Sequence, residues 1–346
     1  MKKSDKECII FVTTFGSIAQ RVLPLIEELK DKGKITIVVS TEQLEKFFKE
    51  NTTFKVIRTR VPSDLIEGES KIKIFPNVIR SKYEYKELFR DMKNYEIYFS
   101  NTACSIVTYS YIKKLSMNNR VFFFGEQSEE KSMEFPIKKG FTSFIMKLIA
   151  KCFLDTETII QTRAGVPFYN LDDKFFENIT KIKAPPEDKK ITAIYTKKLD
   201  ILKGKKILIA VTDSITCGFI EKEEFMDKID RLMDILEDMA PGEYAIKPHP
   251  RLDRLYGKMS KTTSVIPSYI PLQFILEHDW KRVIGFDSGS LIPASNNTNA
   301  EVISLMDATK YKDENLKKKM RNHLVNKSQN KIKFVKKIDD LKYLLK

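Results

Sequence analysis

The sequence predicts an α/β protein of two Rossmann-like domains facing a cleft, and three observations carry that reading. The chain has 346 residues, more than one hydrophobic core ordinarily serves and enough for two domains of common size. Short apolar runs alternate with amphipathic helical stretches through the first half. A second alternation of the same kind begins after a break in the middle, and strands alternating with helices build parallel, doubly wound sheets.

Taken in order, Cys8-Ile-Ile-Phe-Val-Thr13 reads as a buried strand, followed by a turn at Gly16-Ser17. A helix is expected over 18–32, with Val22, Leu23, Leu25, Ile26 and Leu29 facing inward. Further strands are expected at 35–39, 54–58, 95–99 and 121–124, and Thr41 is placed to cap a helix reaching Lys49. The composition changes over 171–205, where Ala184-Pro-Pro-Glu-Asp-Lys-Lys190 breaks periodicity; this segment reads as a linker after a first domain of residues 1–170. A second domain at 206–309 shows strands at 206–211, 243–246, 263–266, 282–285 and 301–304. Helices are expected there over 222–239 and 272–278 and near 290–294. The remainder, 310–346, reads as a basic helical tail.

The formal net charge is +14, and it is unevenly placed. Residues 310–346 hold thirteen Lys/Arg against four acids, a surface suited to an anionic membrane or an acidic acceptor, or else an ordinary solvated helix. No motif with interleaved aromatics points to nucleic acid. Phe141, Phe144, Ile145, Leu148, Ile149, Cys152 and Phe153 recur at helical spacing, the pattern of a helix docked on a sheet or lying on a membrane surface. The four cysteines, Cys8, Cys104, Cys152 and Cys217, form no CxxC pair, and the histidines are only His249, His278 and His323. No zinc site, disulfide framework or multi-histidine metal site is expected. With neither a signal peptide nor a long apolar run, the chain reads as cytoplasmic, with peripheral attachment at the inner face of the membrane as the variant.

The motif with most chemistry is Glu243-Tyr-Ala-Ile-Lys-Pro-His-Pro-Arg251. An apolar strand delivers Lys247, His249 and Arg251 to its carboxyl end, where Pro248 and Pro250 forbid its continuation. Ligands of open α/β sheets sit outside strand carboxyl ends, so two cations around an imidazole point to an anion, a phosphate above all. The plainer reading is a rigid turn with a surface histidine. Downstream, Phe286-Asp-Ser-Gly-Ser290 joins a strand to a helix, where Ser288, Gly289 and Ser290 form either a phosphate cradle or a simple helix cap. Between the two, Ile270-Pro-Leu-Gln-Phe274 places Gln273 where ribose hydroxyls would be held.

The order of Lys247-Pro-His-Pro-Arg251, then Pro271-Leu-Gln273, then the serine turn resembles the nucleotide domain of bacterial sialyltransferases of the lipooligosaccharide and polysialic acid types. The resemblance is specific over about 207–294. It implies a GT-B fold, an inverting transfer from CMP-sialic acid to a cell-surface glycan, and neither metal nor cofactor. It makes His249-Pro250 the group assisting departure of CMP, and Ser288 and Ser290 donor-phosphate ligands, with Lys247, Arg251, Gln273 and Gly289 completing the donor site. Here Gly289 separates the serines, where the family has adjacent hydroxyls, and Gln273 stands where it has Glu. The family's acidic motif is matched in part by Val121-Phe-Phe-Phe-Gly-Glu126. Either Glu126 or Asp213, in Val211-Thr-Asp-Ser214, is then the base on the acceptor hydroxyl. Their plain alternatives are a solvated acidic loop and a turn cap. Two other functions share these motifs: a wall-polymer glycerophosphotransferase with a KPHP loop, and a non-enzymatic nucleotide- or polyanion-binding protein.

Overall fold

The computed structural model describes residues 6–12, 18–59, 74–100, 106–124, 148, 159–163, 166–170, 173–183, 185–186, 190–191, 199–215, 218–249 and 263–346. The chain divides into two compact units, Met1–Asp188 and Lys189–Lys346.

Unit 1 opens on β1 (Lys6–Val12), in which Cys8 through Val12 are buried. A π-helical turn (Ile18–Val22) leads into α1 (Leu23–Leu29), β2 (Gly33–Val39), α2 (Glu42–Asn51) and β3 (Lys55–Arg58). Thr41 caps α2, its side chain accepting from Leu44 N at 3.2 Å. The chain continues through α3 (Ile74–Leu88), β4 (Glu96–Phe99), α4 (Ile106–Leu115) and β5 (Arg120–Phe123). An antiparallel hairpin of β6 (Ile159–Arg163) and β7 (Val166–Asn170) precedes α5 (Asp173–Phe176) and β8 (Ile179–Lys181). The six strands of the main sheet run β3-β2-β1-β4-β5-β8, all parallel. An aromatic core that includes Phe11, Tyr85, Phe99, Tyr109, Phe123 and Phe175 covers it.

Unit 2 repeats the plan with β9 (Ile207–Ala210), α6 (Lys222–Met239), β10 (Tyr244–Lys247), β11 (Ser264–Val265), α7 (Leu272–Ile275) and β12 (Arg282–Gly285). It ends with α8 (Leu291–Asn297), β13 (Glu301–Ser304), α9 (Glu314–Lys327), β14 (Ile332–Phe334) and α10 (Leu341–Leu344). The sheet order is β11-β10-β9-β12-β13-β14, again wholly parallel. Every residue of β9 is buried, as a strand covered on both faces requires. The inward stripe of α6 includes Phe225, Ile229, Leu232 and Leu236, and Phe225 meets Phe286 with ring centroids 4.9 Å apart. Both units thus have the doubly wound Rossmann order, two α/β sheets in one chain.

Two expectations are corrected. Ile179–Lys181 falls in the expected linker, yet it pairs with β5 as a sixth strand. Residues 310–346 are not an appended tail. Asp313 caps α9 by accepting from Asn315 N at 2.9 Å and Leu316 N at 3.1 Å, and β14 pairs in parallel with β13. Ile332, Val335, Ile338 and Leu341 are buried; these apolar residues lie too sparsely among lysines to register as sheet and core in the sequence. Several cations here are paired within the unit, Lys333 with Glu301 at 2.6 Å and Arg321 with Asp307 at 3.0 Å. Of the periodic stretch 141–153, all but Leu148 lies outside the described residues. Among the described residues no helix is long and apolar enough to cross a membrane.

The end of β12 is tightly fitted. A Cβ on Gly285 would lie 3.0 Å from Leu291 Cδ2 and 3.1 Å from the Ala210 carbonyl oxygen, and that backbone oxygen cannot yield without moving β9. Gly285→Ala should therefore lose about 1–3 kcal/mol of stability. Urea unfolding checks this through a lowered midpoint at unchanged slope.

Candidate active site

Three loops leave the carboxyl ends of the neighbouring strands β10, β9 and β12. Strand order reverses between β9 and β12, the switch point outside which ligands of such sheets bind. Each loop delivers residues that the sequence marks for chemistry.

After β10, Pro248 stops the strand and His249 follows. Its Nδ1 lies 3.7 Å from Asp213 Oδ2 on the β9 loop, within ion-pair reach for an imidazolium but longer than a hydrogen bond. Asp213 and His249, named separately from the sequence, are therefore brought together on one sheet edge.

Lys247 closes β10. Its side chain is buried, and Nζ donates to the Pro248 carbonyl at 2.5 Å and the Ser268 carbonyl at 3.1 Å. These bonds fasten the β10 loop to the segment leading into α7, where Gln273 stands half-buried on the second residue of the helix. Lys247 thus holds the loop that carries His249.

Beneath the β9 and β12 loops lies a buried polar cluster. Ser214 Oγ lies 2.6 Å from both carboxylate oxygens of Asp287 and donates its one proton to that carboxyl; it also lies 3.0 Å from Thr212 Oγ1. Burial pushes the Asp287 carboxyl above its ordinary value, against hydrogen bonds from Ser214 and Thr212 that pull it down. Tyr311, from the segment between β13 and α9, is buried nearby; burial first, then the charge of Asp287, raises its phenol. Ser304 Oγ donates to the Phe286 carbonyl at 2.5 Å, fixing the start of the β12 loop.

In the serine turn, Ser288 and Ser290 hydroxyls lie 2.5 Å apart, and Ser290 N donates to Ser288 Oγ at 3.2 Å. Ser290 occupies the cap position of α8 without a side-chain cap bond, so its hydroxyl is not committed to the helix. A Cβ on Gly289 would meet nothing within 4 Å. Among the described residues, sterics therefore do not demand glycine there.

Glu126, Pro250 and Arg251 lie outside the described residues. Among the described residues no group of three or more His, Cys, Asp or Glu is gathered as a metal site. Sequence reasoning passed over Ser214, Asp287 and Tyr311. Ser214 and Asp287 each adjoin a residue singled out for function, and that adjacency was the available signal; Tyr311 offered none.

No protein-family model and no curated protein matches the chain. Among solved structures, the chain is similar to a glycotransferase of kitacinnamycin, at 9% identity and a TM-score of 0.49, covering 97% of this chain and 89% of that one. It is also similar to a putative UDP-N-acetylglucosamine 2-epimerase from Listeria monocytogenes, at 11% identity and a TM-score of 0.46, covering 99% and 87%. A third is the spinosyn forosaminyltransferase SpnP, at 10% identity and a TM-score of 0.44, covering 98% and 89%. Likeness at this level says nothing of chemistry, which rests on the residues above.

The Asp287 cluster makes two outcomes predictable. Asp287→Ala removes the carboxyl that accepts from the buried Ser214 hydroxyl, leaving it only Thr212 Oγ1 at 3.0 Å, and should cost about 1–3 kcal/mol. For pH, a carboxyl raised on folding gives a contribution that is full below its ordinary value of 3.8 and is lost as pH rises through the folded value. Relative to Asp287→Asn, which cannot titrate, the parent should lose stability as pH climbs through that window. Urea midpoints of both proteins, measured across pH, check the sign.

Proposed function

We propose that the chain is a glycosyltransferase of GT-B type that moves a sugar from a nucleotide donor to a glycan acceptor with inversion. The donor is CMP-sialic acid, as the resemblance of the His249 and serine-turn motifs implies. The observation that supports this best is the pairing of His249 with Asp213 beside the Ser288–Ser290 turn at the switch point of one sheet.

As the bond from sugar to phosphate breaks, negative charge gathers on the departing nucleotide. His249 then donates a proton or a strong hydrogen bond to that phosphate. The serine hydroxyls and the backbone beside Gly289 add donors where charge develops. Asp213, 3.7 Å from the ring, is placed to assist His249. That occupation argues against its serving the acceptor, and leaves Glu126 as the base the reading requires. Lys247 and Asp287 act through the loops they anchor.

The reading is tested by nucleotide binding and by kinetics. Thermal shift with saturating CMP should raise stability by roughly 2–3 kcal/mol, with or without EDTA. A shift with UDP or GDP and none with CMP would remove the CMP donor. Gly289→Val should unfold like the parent yet bind CMP at least about tenfold more weakly, because its side chain enters the ligand's space rather than the core. In transfer from CMP-sialic acid, His249→Ala should lose a factor of about 100 to 10,000, and Asp213→Asn should also lose rate. Parental rates from His249→Ala would overturn the assignment.

A further inference from the structure

Unit 1 holds a cavity of about 640 Å³ that the reaction above does not use. It is lined by the end of α3, the end of α4 and the turns that follow them, Phe89–Lys93 and Leu115–Asn119. Those turns feed the amino ends of β4 and β5, so the cavity lies at the sheet edge opposite the strand carboxyl ends. Asn119 fixes its base, accepting from Tyr95 N at 2.9 Å and donating to the carbonyls of Leu115 at 2.9 Å and Met92 at 3.3 Å. The two turns are thereby held together in a formed site.

Its chemistry is divided between floor and rim. The floor is apolar and aromatic: Tyr85, Phe89, Tyr111 and Leu115 are buried, with Tyr85 and Tyr111 stacked at 4.9 Å. Lys86, Arg90, Lys93 and Lys114 line it, and no acid does. Arg90 is engaged by Glu87, so the lysines carry the positive field. Ile79, Tyr83 and Met117, exposed by 52%, 67% and 69%, also line it. They are three of the five large apolar side chains most exposed among the described residues.

We infer that this face of unit 1 docks on an anionic phospholipid bilayer, the lysines meeting lipid phosphates while Ile79, Tyr83 and Met117 enter the apolar boundary. Charge complementarity selects an anionic partner. A soluble anion would be held by the lysines alone and would leave the protruding apolar side chains in water, whereas a bilayer takes both at once. Tyrosine is favoured at that boundary because its ring is apolar and its hydroxyl wet. The attachment therefore belongs to unit 1 and not to the lysines after residue 310.

Flotation of the full chain with vesicles tests this without reference to catalysis. The parent should float with phosphatidylcholine vesicles containing phosphatidylglycerol, far less with phosphatidylcholine alone, and less in high salt. Replacing Lys86, Lys93 and Lys114 together by alanine should lower partitioning on the order of 100-fold. Tyr83→Ser with Met117→Ser should lower it at least about tenfold. All five side chains are exposed, and circular dichroism confirms that the variants fold. Lys318→Glu with Lys319→Glu, on the exposed face of α9, should float like the parent. The inference is overturned if the parent does not bind anionic vesicles, if the lysine variant binds like the parent, or if the α9 variant loses as much as the lysine variant.

Discussion

The hydrogen bond from Ser214 to the buried Asp287 carboxyl joins the loops after β9 and β12 at the point where strand order reverses. Loops at strand ends are ordinarily the least constrained parts of a sheet. Here the constraint is internal: a desolvated carboxyl cannot go without donors, and two of those that serve Asp287, Ser214 and Thr212, come from the neighbouring loop. Asp213 stands next to Ser214, so the bond that satisfies Asp287 also fixes where Asp213 can meet His249. Lys247 supplies the matching anchor on the other side, an ammonium that reaches carbonyls of two segments. The candidate site is thus held from beneath by one buried acid and one buried base, each engaged by neighbours within the fold.

The same principle operates in unit 1 with neutral groups. Asn119 uses its amide in both directions, accepting from one turn and donating to both. A side chain with donors and an acceptor can close two turns at once.

Legibility in the sequence followed the kind of element. The strands at 282–285 and 301–304 and the helix at 222–239 have the expected bounds, because continuous apolar runs and a clean amphipathic stripe are unambiguous. By contrast α3 offers Pro76 within its span and inward contacts made by Tyr85 and, just beyond its end, Phe89, so no apolar period stands out. β14 is three residues long among lysines. Within the site, His249, Asp213 and the serines could be named from their own loops, but the contact between His249 and Asp213 depends on β9 and β10 being neighbours. Lys247 illustrates a different limit: all four residues of β10 are buried, and the two carbonyls its Nζ reaches could not be named from its own strand.

The lysines around β14 acquire a meaning that net charge does not convey. β14 is the outermost strand of the second sheet, and an outermost strand offers unpaired backbone groups to any other extended chain. Lys331, Lys336 and Lys337 flank this short strand, and like charges facing one another across such an edge oppose the pairing of two molecules. A shortened chain lacking 332–334 would lose that guard and bare β13, three of whose four residues are buried, as a template for aggregation. The lysines flanking β14 would thus act between molecules, by opposing the pairing of two such edges.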